Sequence, residues 1–158
     1  MQLGDRVVHE THGAGVIARL EEREVLGQKG LYYLVTLYTG ESLWVPVERA
    51  GQALRPPLSP RELEEVLRAL EEDLPLPEVF MPRYREARRI LREGSRLERA
   101  ALLGTLHRRS RQKPLAPSEK EVLEALLALL ASEVAASLGL GMEAARQRLL
   151  DRLEPALC

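Results

Sequence analysis

The chain has 158 residues, 45% of them hydrophobic and 30% charged, with a formal net charge of −1. That composition describes a globular protein rather than a disordered one, with room for one ordinary domain or two small ones. A single cysteine, Cys158, excludes a disulfide framework within the chain and favours a reducing compartment. Met1-Gln2-Leu3-Gly4-Asp5 shows no secretory signal pattern. The densest apolar run, Leu126–Leu130, is bracketed by Glu121, Glu124 and Glu133 too closely for a membrane span. The expected location is the cytoplasm.

From residue 3 to about 48 the chain reads as short strands. Val7-Val8 precedes a turn at His12-Gly13-Ala14-Gly15, and Val16 to Glu21 follows. Gly27 and Gly30 bracket a second turn, Leu31 to Tyr38 is rich in strand formers, and Leu43-Trp44-Val45-Pro46 makes one more run. Close spacing with glycine punctuation predicts a small antiparallel sheet or barrel. Side chains alternate faces, so Trp44 points outward if Leu43 and Val45 point inward. Ile17, Arg19, Glu21 and Arg23 share one face if the strand continues that far. A boundary is expected at Pro56-Pro57, which gives a β domain over 1–52, a linker over 53–58 and a second domain over 59–158.

From Ser59 the apolar period changes from two to about 3.6. Ser59-Pro60-Arg61-Glu62 is a capping-box start, with Leu63, Val66, Leu67 and Leu70 as the buried stripe. Leu74-Pro75-Leu76-Pro77 breaks that helix. Pro82 starts another, with Tyr84, Ala87, Ile90 and Leu91 inward and Arg85, Arg88, Arg89 and Arg92 toward solvent. Gly94 ends it, and Ser95 with Glu98 opens a third. Ser118 with Glu121 predicts a fourth start, before the apolar helix that forms the core of this half. A last helix spans about Met142 to Leu153. The fold class is therefore α+β: a small antiparallel β domain followed by an all-α bundle of about five helices.

Charge is concentrated in one segment. Residues 81–113 hold ten Arg and one Lys against three Glu, a local excess of eight, while the other parts of the chain are net acidic. Three glutamates cannot neutralise eleven cations, so the segment predicts a phosphate-binding face, with arginines on an ordinary solvated helix as the plain alternative. Phe80 stands between Pro77 and Pro82 at the start of that segment. It either packs between helices or projects as an apolar wedge that unstacks a base step. Trp44 poses a similar choice between core and partner contact.

No enzymatic site is expected. His9-Glu10-Thr11-His12 has the wrong spacing for a zinc helix and reads as a turn. Gly139-Leu140-Gly141 follows a helix rather than a strand, so it marks a helix ending and restarting instead of a dinucleotide loop. The residues predict no metal, no cofactor and no small-molecule substrate.

Leu3-Gly4-Asp5-Arg6-Val7-Val8, His12-Gly13-Ala14-Gly15-Val16, Tyr33-Leu34-Val35, Trp44-Val45-Pro46-Val47-Glu48 and Pro77-Glu78-Val79-Phe80-Met81-Pro82-Arg83-Tyr84-Arg85 together resemble the CarD/CdnL family of bacterial transcription regulators. The resemblance covers nearly the whole chain. It implies a Tudor-like N-terminal domain, also found in transcription-repair coupling factors, that docks on the RNA polymerase β subunit. It also implies a helical C-terminal domain on promoter DNA at the upstream edge of the bubble, and hence a nucleoid-associated protein. By the same resemblance Arg23, Trp44, Val45 and Pro46 fall at polymerase contacts. Phe80 falls where many members place a wedging tryptophan, and Arg83, Tyr84 and Arg85 at a basic helix start that holds the DNA backbone. Arg88 and Arg89 extend that set by their charge. Two departures stand out: phenylalanine for tryptophan at 80, and Pro82 where some relatives are basic. A protein-only adaptor without a DNA contact is the first alternative, and a free-standing RNA or DNA binder, with Tyr84 or Phe80 under a stacked base, is the second.

Overall fold

The computed structural model describes residues 1–154; the expectation made for Cys158 lies outside them. The N-terminal half is a five-stranded antiparallel sheet of β1 (Arg6–His9), β2 (Gly13–Val25), β3 (Gln28–Leu37), β4 (Ser42–Pro46) and β5 (Leu54–Arg55), in the order β4-β3-β2-β1-β5. A short helix, α1 (Val47–Ala53), connects the last two strands. Val7, Ile17, Val35, Leu37 and Val45 are buried together on one face. The sheet is open, with β4 and β5 as its two edges, so the antiparallel sheet is present but a closed barrel is not.

The β2–β3 hairpin is longer than the sequence suggests, because the glycine turn is tight. Leu26 and Gly27 both have positive φ, at 52° and 80°, and strand pairing resumes at Gln28. Two left-handed positions in a two-residue loop match the right-handed twist of the flanking strands. A bulge between Ile17 and Arg19 shifts the register, with Ile17 opposite Val35 and Arg19 opposite Leu34. One extra residue exchanges the faces. Ile17 therefore goes into the core, whereas Arg19, Glu21 and Arg23 share the other face: the expected four-residue stripe loses its first member.

The C-terminal half packs α2 (Pro60–Ala69), α3 (Phe80–Glu93), α4 (Arg96–Gln112), α5 (Pro117–Leu138) and α6 (Met142–Leu153) around one apolar core centred on Leu102, Leu106, Leu126 and Leu130. The capping boxes at Ser59/Glu62 and Ser95/Glu98 form as expected. The one expected at Ser118/Glu121 does not, because α5 starts earlier. Pro117 takes the first helical position and Glu119 accepts from the Ala116 N–H at 3.4 Å. Gly139 ends α5 in the left-handed conformation and Gly141 precedes α6. At Gly104, a Cβ would lie 1.8 Å from the Leu70 carbonyl oxygen, so only glycine lets α4 approach the end of α2 this closely.

The halves are joined by contact as well as by chain. Val8, Ala14 and Ala136 form a buried cluster with Tyr38 packed against it. The Ala14 N–H donates to Ser132 Oγ at 3.0 Å, and Arg6 donates to the Ala136 carbonyl at 2.9 Å. Arg55 bridges Glu10 and Glu133 at 2.7 and 2.6 Å. Arg99, 4% exposed, donates to the Glu10 carbonyl at 2.8 Å while also engaging the Ile90 and Arg92 carbonyls at the end of α3. Residues 53–58 take part: Leu54 and Arg55 pair with β1, and Leu58 lies in the helical core.

Candidate partner-docking and nucleic-acid interface

On the sheet, Arg23 and Trp44 meet across β2, β3 and β4. The Arg23 guanidinium lies over the indole at 4.6 Å from its centroid, a cation–π contact. Glu21 pairs with Arg19 at 3.0 Å and with Arg23 at 3.6 Å. Arg19 and Arg23 are at least half exposed, so the face presents an aromatic plate with charge around it. Trp44 points away from the core as alternation predicts. Val45, 3% exposed, is part of that core, and Pro46 ends β4 at the N-cap of α1. Of the four residues assigned to this contact, Arg23 and Trp44 offer their side chains. Val45 and Pro46 lie on β4, an edge strand with no neighbour on its outer side in the sheet, and Pro46, which lacks an N–H, has only a backbone carbonyl to offer.

On α3, Phe80 is the first helical residue and is partly exposed. Its ring stacks on Tyr84 with centroids 5.8 Å apart and 6° between planes. Arg88 lies over the other end of this stack, 5.7 Å from the Tyr84 ring. Val79 and Met81 flank Phe80 at 68% and 47% exposure. The apolar tip is therefore three residues wide, whereas the sequence singles out only one. Pro82 sits in the first turn, where a missing N–H breaks no helical bond.

The structure divides the arginine segment in two. Six of the eleven cations are engaged internally, mostly by acidic groups distant in sequence. Arg83 binds Glu119, Arg89 binds Glu86 and Glu98, Arg96 binds Glu62, Arg108 binds Asp73, Arg111 binds Glu154, and Arg99 is held by carbonyls. Arg85, Arg88 and Arg92 on α3, with Arg109 and Lys113 on the next helix and its cap, have no carboxylate within salt-bridge distance among the described residues. Positions 85, 88 and 92 follow the three-and-four spacing of neighbours on one helix face. They form a cationic stripe running away from Phe80.

Arg83 stands apart from this stripe. It is 6% exposed, and its hydrogen bonds hold the Glu119 carboxylate below the ordinary glutamate value, against burial that pushes the other way. Each of its three nitrogens donates one hydrogen bond inside the protein and the side chain is buried, so the resemblance-based placing of Arg83 on the DNA backbone does not match its surroundings. Arg89 is exposed but shared with Glu86, whose carboxyl it holds below the usual range. Arg92, left out of the expected site, belongs to the stripe by position.

Two sequence families account for nearly all of the chain. Residues 1–58 match the family described as "CarD-like/TRCF RID domain", and residues 62–150 match "CarD, C-terminal domain". The chain is similar to a Bacillus subtilis (strain 168) protein named "Putative transcription factor YdeB", 29% identical over 138 residues, which cover 84% of this chain and 89% of that one. The two matches follow one another along the chain as the sheet and the helical half do, and the chain belongs to the CarD-like family.

Proposed function

We propose that the protein is a non-enzymatic transcription regulator of the bacterial cytoplasm. Its N-terminal sheet, the Tudor-like unit of the resemblance, docks on the RNA polymerase β subunit, and α3 grips promoter DNA near the upstream edge of the bubble. The observation that carries this reading is the apolar tip at the start of α3, with Val79 and Met81 exposed and Phe80 partly so, beside the stripe of Arg85, Arg88 and Arg92, which have no carboxylate within salt-bridge distance among the described residues. The Arg23–Trp44 plate and the free edge of β4 form the polymerase-facing surface.

The physical logic is effective concentration. Three phosphate contacts alone bind weakly and without reading sequence, but polymerase fixes them beside one stretch of duplex. Phe80 then favours the distorted duplex over the regular one, which shifts closed complex toward open. In Phe80→Ala, polymerase binding stays at the wild-type level while the open-complex lifetime falls; an unchanged lifetime rejects the wedge. The six internally engaged cations favour one rival, an adaptor that binds polymerase and leaves DNA alone. A salt titration decides between them. Three released contacts give a slope of about −2.7 in log affinity against log salt, and the adaptor gives no DNA-dependent slope.

A further inference from the structure

We propose that Arg83 is a positioning residue: its buried pair with Glu119 fixes the turn that presents Phe80, and it makes no phosphate contact. This rests on the wedge reading above and assigns that wedge its support. Arg83 Nε donates to Glu119 Oε2 at 2.8 Å and Nη2 to Oε1 at 3.1 Å, the bidentate fork geometry. Nη1 donates to the Glu78 carbonyl at 2.7 Å, two residues before Phe80. All three nitrogens are engaged, and the two side chains are 7% and 2% exposed. A phosphate could take Arg83 only by leaving the Glu119 carboxylate buried without its cation, a costly exchange.

The same guanidinium lies 5.8 Å from the Phe80 ring centroid, and Tyr84 stacks against that ring. Phe80 is thus held by its backbone, through the Glu78 carbonyl, and by its ring, between Arg83 and Tyr84. Glu119 is itself anchored in the first turn of α5, where it also accepts from the Ala116 N–H. The support runs from α5 through Glu119 and Arg83 to the turn at 78–80. Nothing in it needs DNA to be present, so the tip is set before binding, and ordering it on the duplex costs less.

The test uses the full chain with polymerase and a promoter. Arg83→Lys keeps the charge, but one ammonium cannot replace a planar fork that spans both Glu119 oxygens and the Glu78 carbonyl. The positioning role predicts that Arg83→Lys and Glu119→Gln each shorten the open-complex lifetime to within about twofold of the Phe80→Ala value, with no further loss when combined. It also predicts faster amide hydrogen exchange at residues 79–81 in both variants. Arg83→Met keeps the wild-type salt slope, whereas Arg88→Ala lowers its magnitude by about 0.9. A wild-type lifetime for Arg83→Lys, or a slope reduced by about 0.9 in Arg83→Met, overturns the proposal. If Arg83→Met fails to fold, the lysine and glutamine variants carry the test. If Phe80→Ala itself leaves the lifetime unchanged, the wedge reading fails, and the exchange and slope measurements still judge Arg83.

Discussion

Two positions along a helix turn a side chain by about 200°, and that rotation separates Arg83 from Arg85. One side chain is drawn under the helix to a carboxylate; the other stands in water. The ion pair also sets how the protein responds to acid. Hydrogen bonding from Arg83 depresses Glu119, and hydrogen bonding from Arg55 depresses Glu10, both from an ordinary value of 4.5. The unfolded chain therefore takes up protons first as pH falls, so this stability is complete above about pH 4.5 and drains as pH drops through the lowered folded values. His107 and His9 are also depressed, chiefly by burial, from 6.5, and their contribution begins to fall below that value. Denaturant melts across pH should show two declines, one beginning below about 6.5 and one below about 4.5. Glu119→Gln should flatten the lower decline and leave the upper one in place. At this scale the sequence showed a surplus of arginine but not where it goes. Glu119 lies 36 residues from Arg83, and Asp73 lies 35 from Arg108. Counting only nearby glutamates overstates the free charge.

Among the elements, those with strong local chemistry were readable. Ser59/Glu62 and Ser95/Glu98 announce their helices, and Trp44 follows from alternation. Short or irregular pieces were not. The helix α1 has seven residues with only Ala50 buried, too few turns for a period to show, and β5 is two residues beside a proline pair. The bulge after Ile17 leaves no mark in composition, yet it decides which face carries Arg19, Glu21 and Arg23. The hairpin tip offers a direct check. Leu26 is fully exposed with φ 52°, a conformation that costs an L-residue about 1–2 kcal/mol and that asparagine tolerates better. Leu26→Asn should raise stability by roughly 0.5–1 kcal/mol and lift the melting temperature. A lower melting temperature would mean that the leucine side chain supports the fold in a way its exposure does not show.

Across the whole molecule, the two family-matched halves behave as one packed body where β1 and β2 meet α5. Gly13, with φ 88°, would place a Cβ 2.6 Å from Ser132 Oγ, so the sheet lies against the helix without an intervening side chain. Glu133 joins Arg55 from the helical half, and removing it leaves that partly buried guanidinium with Glu10 as its one carboxylate among the described residues, beside the Pro56 carbonyl. Trp44 is the sole tryptophan and reports on the sheet, while helical circular dichroism reports on the bundle. In the wild type the two signals should melt together. Glu133→Ala should lower stability by about 1–3 kcal/mol and pull the transitions apart, as expected when an interface rather than a core is weakened. This seam has a further consequence for gene choice. Under the proposed function, a bracket without a joint would hold its tip at a constant offset from the polymerase that carries it, so one particular base step would take the strain at every promoter. Responsiveness should then track how readily that step comes apart, with TA and CA templates gaining most, and a promoter series altered at that step alone would measure it.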